Sequence, residues 1–219
     1  MPVLNAITRE LHCSIAYVGP ALAGKRTNLL YVDETSVPDA NCTWFSVDEP
    51  FPLVGCSFVP PTFPPIDGAT LCMHLSAITG PLFEEAPHRL LLRNVDAVVF
   101  VADAQTSRMD ANLEHMAKVA AYLAGRPEKV PMVLQYNKYD LPEVAMPEEL
   151  DAALNPGGLP RTLAIATGGS GVIDTLKLVM KEMLLGMRDG RVERRPIELH
   201  VEPADQLQLW NLLRSDAVG

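Results

Sequence analysis

No uncharged apolar stretch in the chain approaches the roughly 18 residues needed to cross a bilayer. The opening MPVLNAITRE has no basic region leading into an apolar run, so a soluble, cytoplasmic protein is expected. Positive charge is scarce. Lys and Arg number 18 against 27 Asp and Glu, leaving a formal net charge of -9. Such a surface repels phosphate polyanions, which excludes non-specific attraction to nucleic acid or anionic lipid. Cysteine is limited to Cys13, Cys42, Cys56 and Cys72, with no Cys-x-x-Cys pair and no Cys/His spacing of a zinc site. Cys13 and Cys72 lie in apolar runs and read as buried free thiols. The five histidines (His12, His74, His88, His115, His200) show no metal spacing either, and there is no internal repeat.

What the chain does have is apolar content, 48% of 219 residues, enough for one good core. Its apolar segments alternate between two periods. Cys13 to Val18 is a short run ending in Gly, followed by a glycine-rich bend and a helical stretch. Thr70 to Ser76 is a candidate strand. Ala97 to Ala102 is the continuous run of a strand covered on both faces, and is expected at the sheet's centre. Met132 to Tyr136 and Thr162 to Ala166 complete the strands. Between them Met109 to Leu123, Pro147 to Leu154 and Gly171 to Met187 carry apolar residues at helical spacing. Seven of the 19 prolines fall between Val37 and Pro65, which defeats helix and confines strand pairing to sheet edges; a long, partly irregular excursion is expected there. Strand and helix in alternation imply a mostly parallel sheet with helices on both faces and ligands beyond the carboxyl ends of the strands. The charged stretch 188–196 reads as a linker, and the residues after it as a short strand and an amphipathic helix. The expected organisation is therefore a domain over residues 1–187 and an extension over 188–219.

Two loops carry chemistry. Gly19-Pro-Ala-Leu-Ala-Gly24-Lys25 fits G-x-x-x-x-G-K between a strand and a helix, the context of a phosphate-binding loop. The glycines let successive amides face one concavity, the helix N-terminus adds its positive end, and Lys25 reaches the β- and γ-phosphates. Gly19, Ala21, Leu22, Ala23, Gly24, Lys25, Arg26 and Thr27 are the candidate phosphate-binding residues. Asn137-Lys138-Tyr139-Asp140 follows a later strand in the order that makes an N-K-x-D a guanine clamp. Asp140 accepts from the base's N1–H and 2-amino group, Asn137 holds the loop, and Lys138 packs along the base plane. A carboxylate left unpaired by adenine would discriminate by about 10⁴ to 10⁵. Ala166 and Thr167, ending the last strand, are the candidates to offer a backbone N–H to the base's O6.

In TyrValGlyProAlaLeuAlaGlyLysArgThrAsnLeu (17–29), HisLeuSerAlaIleThrGlyProLeuPhe (74–83), AsnValAspAlaValValPheValAlaAspAlaGln (94–105), LeuGlnTyrAsnLysTyrAspLeuPro (134–142) and AlaThrGlyGlySerGlyValIleAspThrLeuLys (166–177), the sequence resembles the bacterial Ras-like GTPases of the MglA type. That family sets cell polarity and gliding motility. The resemblance implies a P-loop NTPase of Ras-like, three-layer α/β fold with a mostly parallel six-stranded sheet. It further implies GTP or GDP as ligand and a roadblock-fold (MglB-like) regulator as partner.

Two departures bear on activity. The hydroxyl residue expected after the phosphate-loop lysine, a Mg²⁺ ligand, is Arg26, with Thr27 one place late, so the need for Mg²⁺ stays open. Where Ras proteins carry D-x-x-G-Q, this chain reads Ala77-Ile-Thr-Gly80-Pro81, and Pro81 cannot position an attacking water. No threonine among Thr35, Thr43 and Thr62 stands out as a switch residue, and the helix after Gly80 is expected to break at Pro87. Slow or absent hydrolysis is the leading expectation, with the protein acting as a nucleotide-binding switch or scaffold. Two alternatives stand beside it. One is an active GTPase completed by a partner or an internal group, the nearby choices being Arg26, Arg89, Arg93 and Gln105. The other is a structural protein with a relic phosphate loop.

Overall fold

The computed structural model describes residues 2–36, 42–48, 52–60, 63–79, 85–188 and 195–197. In chain order the elements are β1 (Val3–Asn5), β2 (Glu10–Val18), α1 (Lys25–Ser36), β3 (Thr43–Val47), β4 (Leu53–Phe58), β5 (Thr70–Ile78), α2 (Glu85–Arg93), β6 (Ala97–Asp103), α3 (Met109–Ala124), β7 (Met132–Asn137), α4 (Pro147–Leu154), β8 (Arg161–Leu163), α5 (Val172–Arg188) and β9 (Arg195–Ile197). A single 3₁₀ turn at Thr106–Arg108 leads into α3.

The sheet runs β3-β4-β5-β2-β6-β7-β8, with β1 and β9 off this path. From β5 to β8 all neighbours are parallel. β4 is antiparallel to β5 and β3 antiparallel to β4. β6 is buried at every position, as its unbroken apolar run requires. Helices α1 and α5 cover one face, closing a core around Leu11, Cys13, Ile15, Leu29, Val99, Val179 and Met183. Residues of α2, α3 and α4 cover the other, around Val18, Phe100, Val119, Leu134 and Leu150. The three-layer α/β arrangement agrees with the sequence reading.

Several expectations are corrected. The six-stranded sheet has nine strands among the described residues. One added strand is the outermost β3, and two are β1 and β9, which pair with each other in parallel. β1 also pairs antiparallel with Glu10 to His12 of β2, occupying the side of β2 that β6 takes up only from Ile15 onward. The proline-rich excursion holds a hairpin, β3 and β4. Its prolines punctuate rather than prevent it, because Pro52 and Pro60 fall just outside the strands and the hairpin sits at the sheet edge, where proline is tolerated. The central place in the strand path belongs to β2, with the fully buried β6 beside it. The strand expected over Thr162 to Ala166 is β8, which ends at Leu163, and Ile165 instead bridges to Ser170 across a turn. Pro87 does not break α2: it lies in that helix's first turn, where a missing N–H costs no helical bond. Of the expected extension, 195–197 forms β9, while the helix foreseen after it lies outside the described residues.

Candidate nucleotide site

The loops after β2, β6, β7 and β8 meet at the carboxyl edge of the parallel strands. The first wraps residues 19–24 ahead of α1. Gly19 (φ +134°) passes so close to the Val101 carbonyl that a β-carbon would overlap it. Leu22 holds a left-handed backbone (φ 66°) and is exposed, whereas Ala23 and Lys25 are buried. The Lys25 ammonium folds back over the loop and donates to the carbonyls of Gly19 and Pro20, both at 2.8 Å. Among the described residues no carboxylate lies within ion-pair distance of it. Burial alone lowers its pKa to about 8, because a cation without a counter-ion is poorly solvated there.

Asn137, at the end of β7, bridges two of these loops. Its side-chain amide donates to the Ala23 carbonyl at 2.7 Å, and its side-chain oxygen accepts from the Ala166 amide at 3.0 Å. The next residue, Lys138, is at φ 65° and ion-pairs with Asp103 at 2.7 Å. Asp103 is buried, and its backbone is gripped on both sides by Asn112, whose oxygen accepts from the Asp103 amide and whose nitrogen donates to the Asp103 carbonyl. Asp140 is exposed two residues on, within the turn closed from Leu141 to Lys138. Ala166 is buried, and the Gly168 amide is engaged by the Ile165 carbonyl. The exposed Thr167 thus keeps the uncommitted amide of that turn.

A polar chain runs beneath the loops. Asn28 donates to the Gly24 carbonyl at 3.0 Å and accepts from Gln135 at 2.8 Å. Gln135 also donates to Thr175, which donates to the Gly171 carbonyl and meets Thr162. Asn28, Gln135 and Thr175 are fully buried, so the starts of α1 and α5 are joined through the middle of β7. Sequence reasoning missed this chain, since isolated polar residues inside apolar runs carry no local signal.

It also missed Arg108. That guanidinium donates to the Ala21 carbonyl at 3.0 Å and lies 3.9 Å from Asp103. It is therefore the arginine that touches the phosphate loop. Among the other residues considered from sequence, Arg89 lies over the Tyr122 ring, 5.5 Å from its centroid, Arg93 is exposed, and Gln105 is half-buried with its backbone N–H donating to the Asp103 carboxylate. Arg26 is exposed, its guanidinium carbon 6.0 Å from the centroid of Trp44 on β3. Thr27 is half-buried on α1. Ala77 is fully buried in the core beneath α1 and α5. Gly80 and Pro81 lie outside the described residues, as does Thr62. Thr35 hydrogen-bonds to the Tyr31 carbonyl of its own helix, and Thr43 is exposed on β3.

The three-layer fold around a mostly parallel sheet, with a phosphate-type loop between its central strand and a helix, places the protein in the class of Ras-like P-loop proteins. No protein-family model matches the chain. It is 38% identical over 194 residues to the "Mutual gliding-motility protein MglA" of Myxococcus xanthus (strain DK1622), an alignment that covers 87% of this chain and 100% of that relative. The chain belongs to the MglA family of Ras-like small GTPases. Among the described residues, no helix is long and apolar enough to cross a membrane.

Proposed function

We propose that the protein binds guanine nucleotide and works in the cytoplasm as a polarity- or motility-type switch or scaffold whose own hydrolysis of GTP is slow or absent. The observation that carries nucleotide binding is the buried Lys25 ammonium. It faces two carbonyls and no carboxylate within a glycine-bent loop that Asn137 ties to the other loops. A phosphate supplies the anion this arrangement lacks. Asp140 is free at the surface to take the base's N1–H and 2-amino group, and the O6 donor falls to Thr167, because the Ala166 amide already serves Asn137. Lys138, held by Asp103, would offer its aliphatic stem to the base.

The usual Mg²⁺ ligand set is not met. Arg26 stands at the hydroxyl position and points to Trp44, so that position offers the ion no oxygen. Ala77 presents a methyl to the core, and Pro81 has no group to orient water. Positioning and charge neutralisation are most of what a protein contributes to phosphoryl transfer, which supports slow turnover. Arg108 favours a second reading, an active GTPase completed in part from within and in part by a roadblock-fold, MglB-like regulator.

The deciding experiment denatures the purified protein, identifies released nucleotide by chromatography, and titrates labelled GDP and GTP with and without Mg²⁺. Bound guanine nucleotide with no turnover supports the proposal. Turnover at rates ordinary for small GTPases without a partner removes the slow-hydrolysis part, acceleration by an added roadblock-fold partner favours the second reading, and no binding leaves a structural protein with a relic loop.

A further inference from the structure

At the opposite end of β2 from the phosphate loop, polar side chains line one sheet face where apolar ones would be expected. The register pairs Glu10 with Thr70, His12 with Cys72 and Ser14 with His74, and β4 brings Ser57 opposite His74. Paired neighbours point to the same face. Glu10, His12, Cys72, His74 and Ser57 therefore share it; the β2 pair and the β5 pair stand about 60 residues apart in the chain, which is why no sequence spacing betrayed them. The ligand atoms of Glu10, His12 and Cys72 all lie within 4.8 Å of one another.

We propose that Glu10, His12 and Cys72 form a binding site for a divalent transition-metal ion of the zinc class. The donor set of carboxylate, imidazole and thiolate suits zinc rather than magnesium or calcium, and three protein ligands leave a fourth position for water. Two of the three ligands are already oriented by neighbours, as metal ligands characteristically are. Thr8 donates its hydroxyl to Glu10 at 2.8 Å. His12 Nδ1 lies 2.9 Å from His74 Nε2, and His74 Nδ1 lies 2.8 Å from Ser57 Oγ. When Ser57 accepts the proton of His74 Nδ1, His74 Nε2 accepts from His12 Nδ1–H. The lone pair of His12 then sits on Nε2, the atom 3.5 Å from the Glu10 carboxylate. Zinc bond lengths bring ligand atoms to roughly 3–4 Å from one another, a closure of about 1 Å that side-chain rotation supplies. From His12 to Val18 the strand advances about 20 Å, so the site is separate from the nucleotide loops and the inference does not depend on the proposed function.

The test uses the full chain with any purification tag removed and resident metal stripped by a chelator. Co²⁺ is titrated while the thiolate-to-cobalt charge-transfer absorption is followed, and Zn²⁺ is then added in competition. We expect saturation at one equivalent, displacement by Zn²⁺, loss of the band in Cys72→Ser, retention in Cys42→Ser, and cobalt affinity about 10–100-fold weaker in His74→Gln, which removes only a supporting partner. His12→Gln and Glu10→Gln, exchanges of half-buried residues, test the site should Cys72→Ser fail to fold by circular dichroism. No thiolate band in the wild-type protein, or a band that survives Cys72→Ser or disappears equally in Cys42→Ser, would overturn the proposal. So would full retention of the band in both His12→Gln and Glu10→Gln.

Discussion

Gly24 and Asn137 fit together so closely that neither tolerates enlargement of the other. A β-carbon on Gly24 would fall well inside contact distance of Asn137 Nδ2, and the backbone there is at φ +100°. The same amide reaches past Gly24 to the Ala23 carbonyl. The 19–25 loop is thus shaped against the asparagine that opens the 137–140 loop, and the two motifs read separately in the sequence are one interlocked piece of structure.

Gly24→Ala should therefore destabilise the fold by about 2 kcal/mol or more, combining backbone strain with the displaced amide. Asn137→Ala removes the clash but leaves the strain. In a double-mutant cycle read by urea unfolding, the double variant should fall short of the summed single effects by about 1–2 kcal/mol. Full additivity would mean that the two residues do not touch in solution.

Nucleotide affinity should depend on pH through Lys25. Its folded, ligand-free pKa is lowered to about 8 by burial, and a bound phosphate stabilises the protonated form and raises that value. Binding then takes up a proton once the pH exceeds about 8, and affinity falls by up to about tenfold per pH unit above that point. Below pH 8 the lysine is already charged and its contribution is constant. Titrations of labelled GDP from pH 7 to 9, with calorimetry in buffers of different ionisation enthalpy, measure both the slope and the proton. A flat profile and no proton uptake would show that Lys25 meets no phosphate.

Asn28→Ala would leave one N–H of the buried Gln135 amide without its partner, while the Gly24 carbonyl keeps the backbone amide of residue 28. The expected loss is about 2 kcal/mol, or roughly 4–8 °C in Tm for a domain of this size. Thr175→Val likewise leaves one Gln135 N–H unpartnered while its bond to Asn28 survives, and should cost about as much. Differential scanning calorimetry of the two variants compares them directly.

Arg108 links Ala21 to Asp103. Arg108→Ala should weaken GDP and GTP binding by about tenfold, the loss of one charge-assisted hydrogen bond. Arg108→Lys should recover little, because a point charge cannot span both partners. An unchanged affinity in Arg108→Ala would assign the residue to the free loop alone, whereas a fall in residual turnover at saturating GTP would give it a part in hydrolysis.

Much of this was legible from the sequence. Apolar runs such as Ala97 to Ala102 and Met132 to Tyr136 located the parallel strands because a strand covered on both faces has nowhere to place a polar side chain. Pro147 to Leu154 was bounded correctly because a proline opens it. The bend of the Gly19 to Lys25 loop was legible for a related reason: its glycines and its lysine are contiguous in the chain. What escaped was whatever depends on pairing. The register that sets His12 beside Cys72, the reach of Arg108 to Ala21, and the Asn28–Gln135–Thr175 chain all join distant residues through geometry that composition does not encode. β1 and β9, at three residues each, are too short to show a period, and the hairpin of β3 and β4 was masked by prolines that lie outside the strands.

Arg26 follows the phosphate-loop lysine directly, yet its guanidinium rests on Trp44, in the outermost strand of the sheet. That contact gives the molecule a built-in optical gauge. A guanidinium that leaves the indole to meet a phosphate changes the polarity around Trp44, and the change is read as fluorescence with no label attached. It also ties the outer edge of the sheet to the first turn of α1, so a shift at that turn is felt at Trp44.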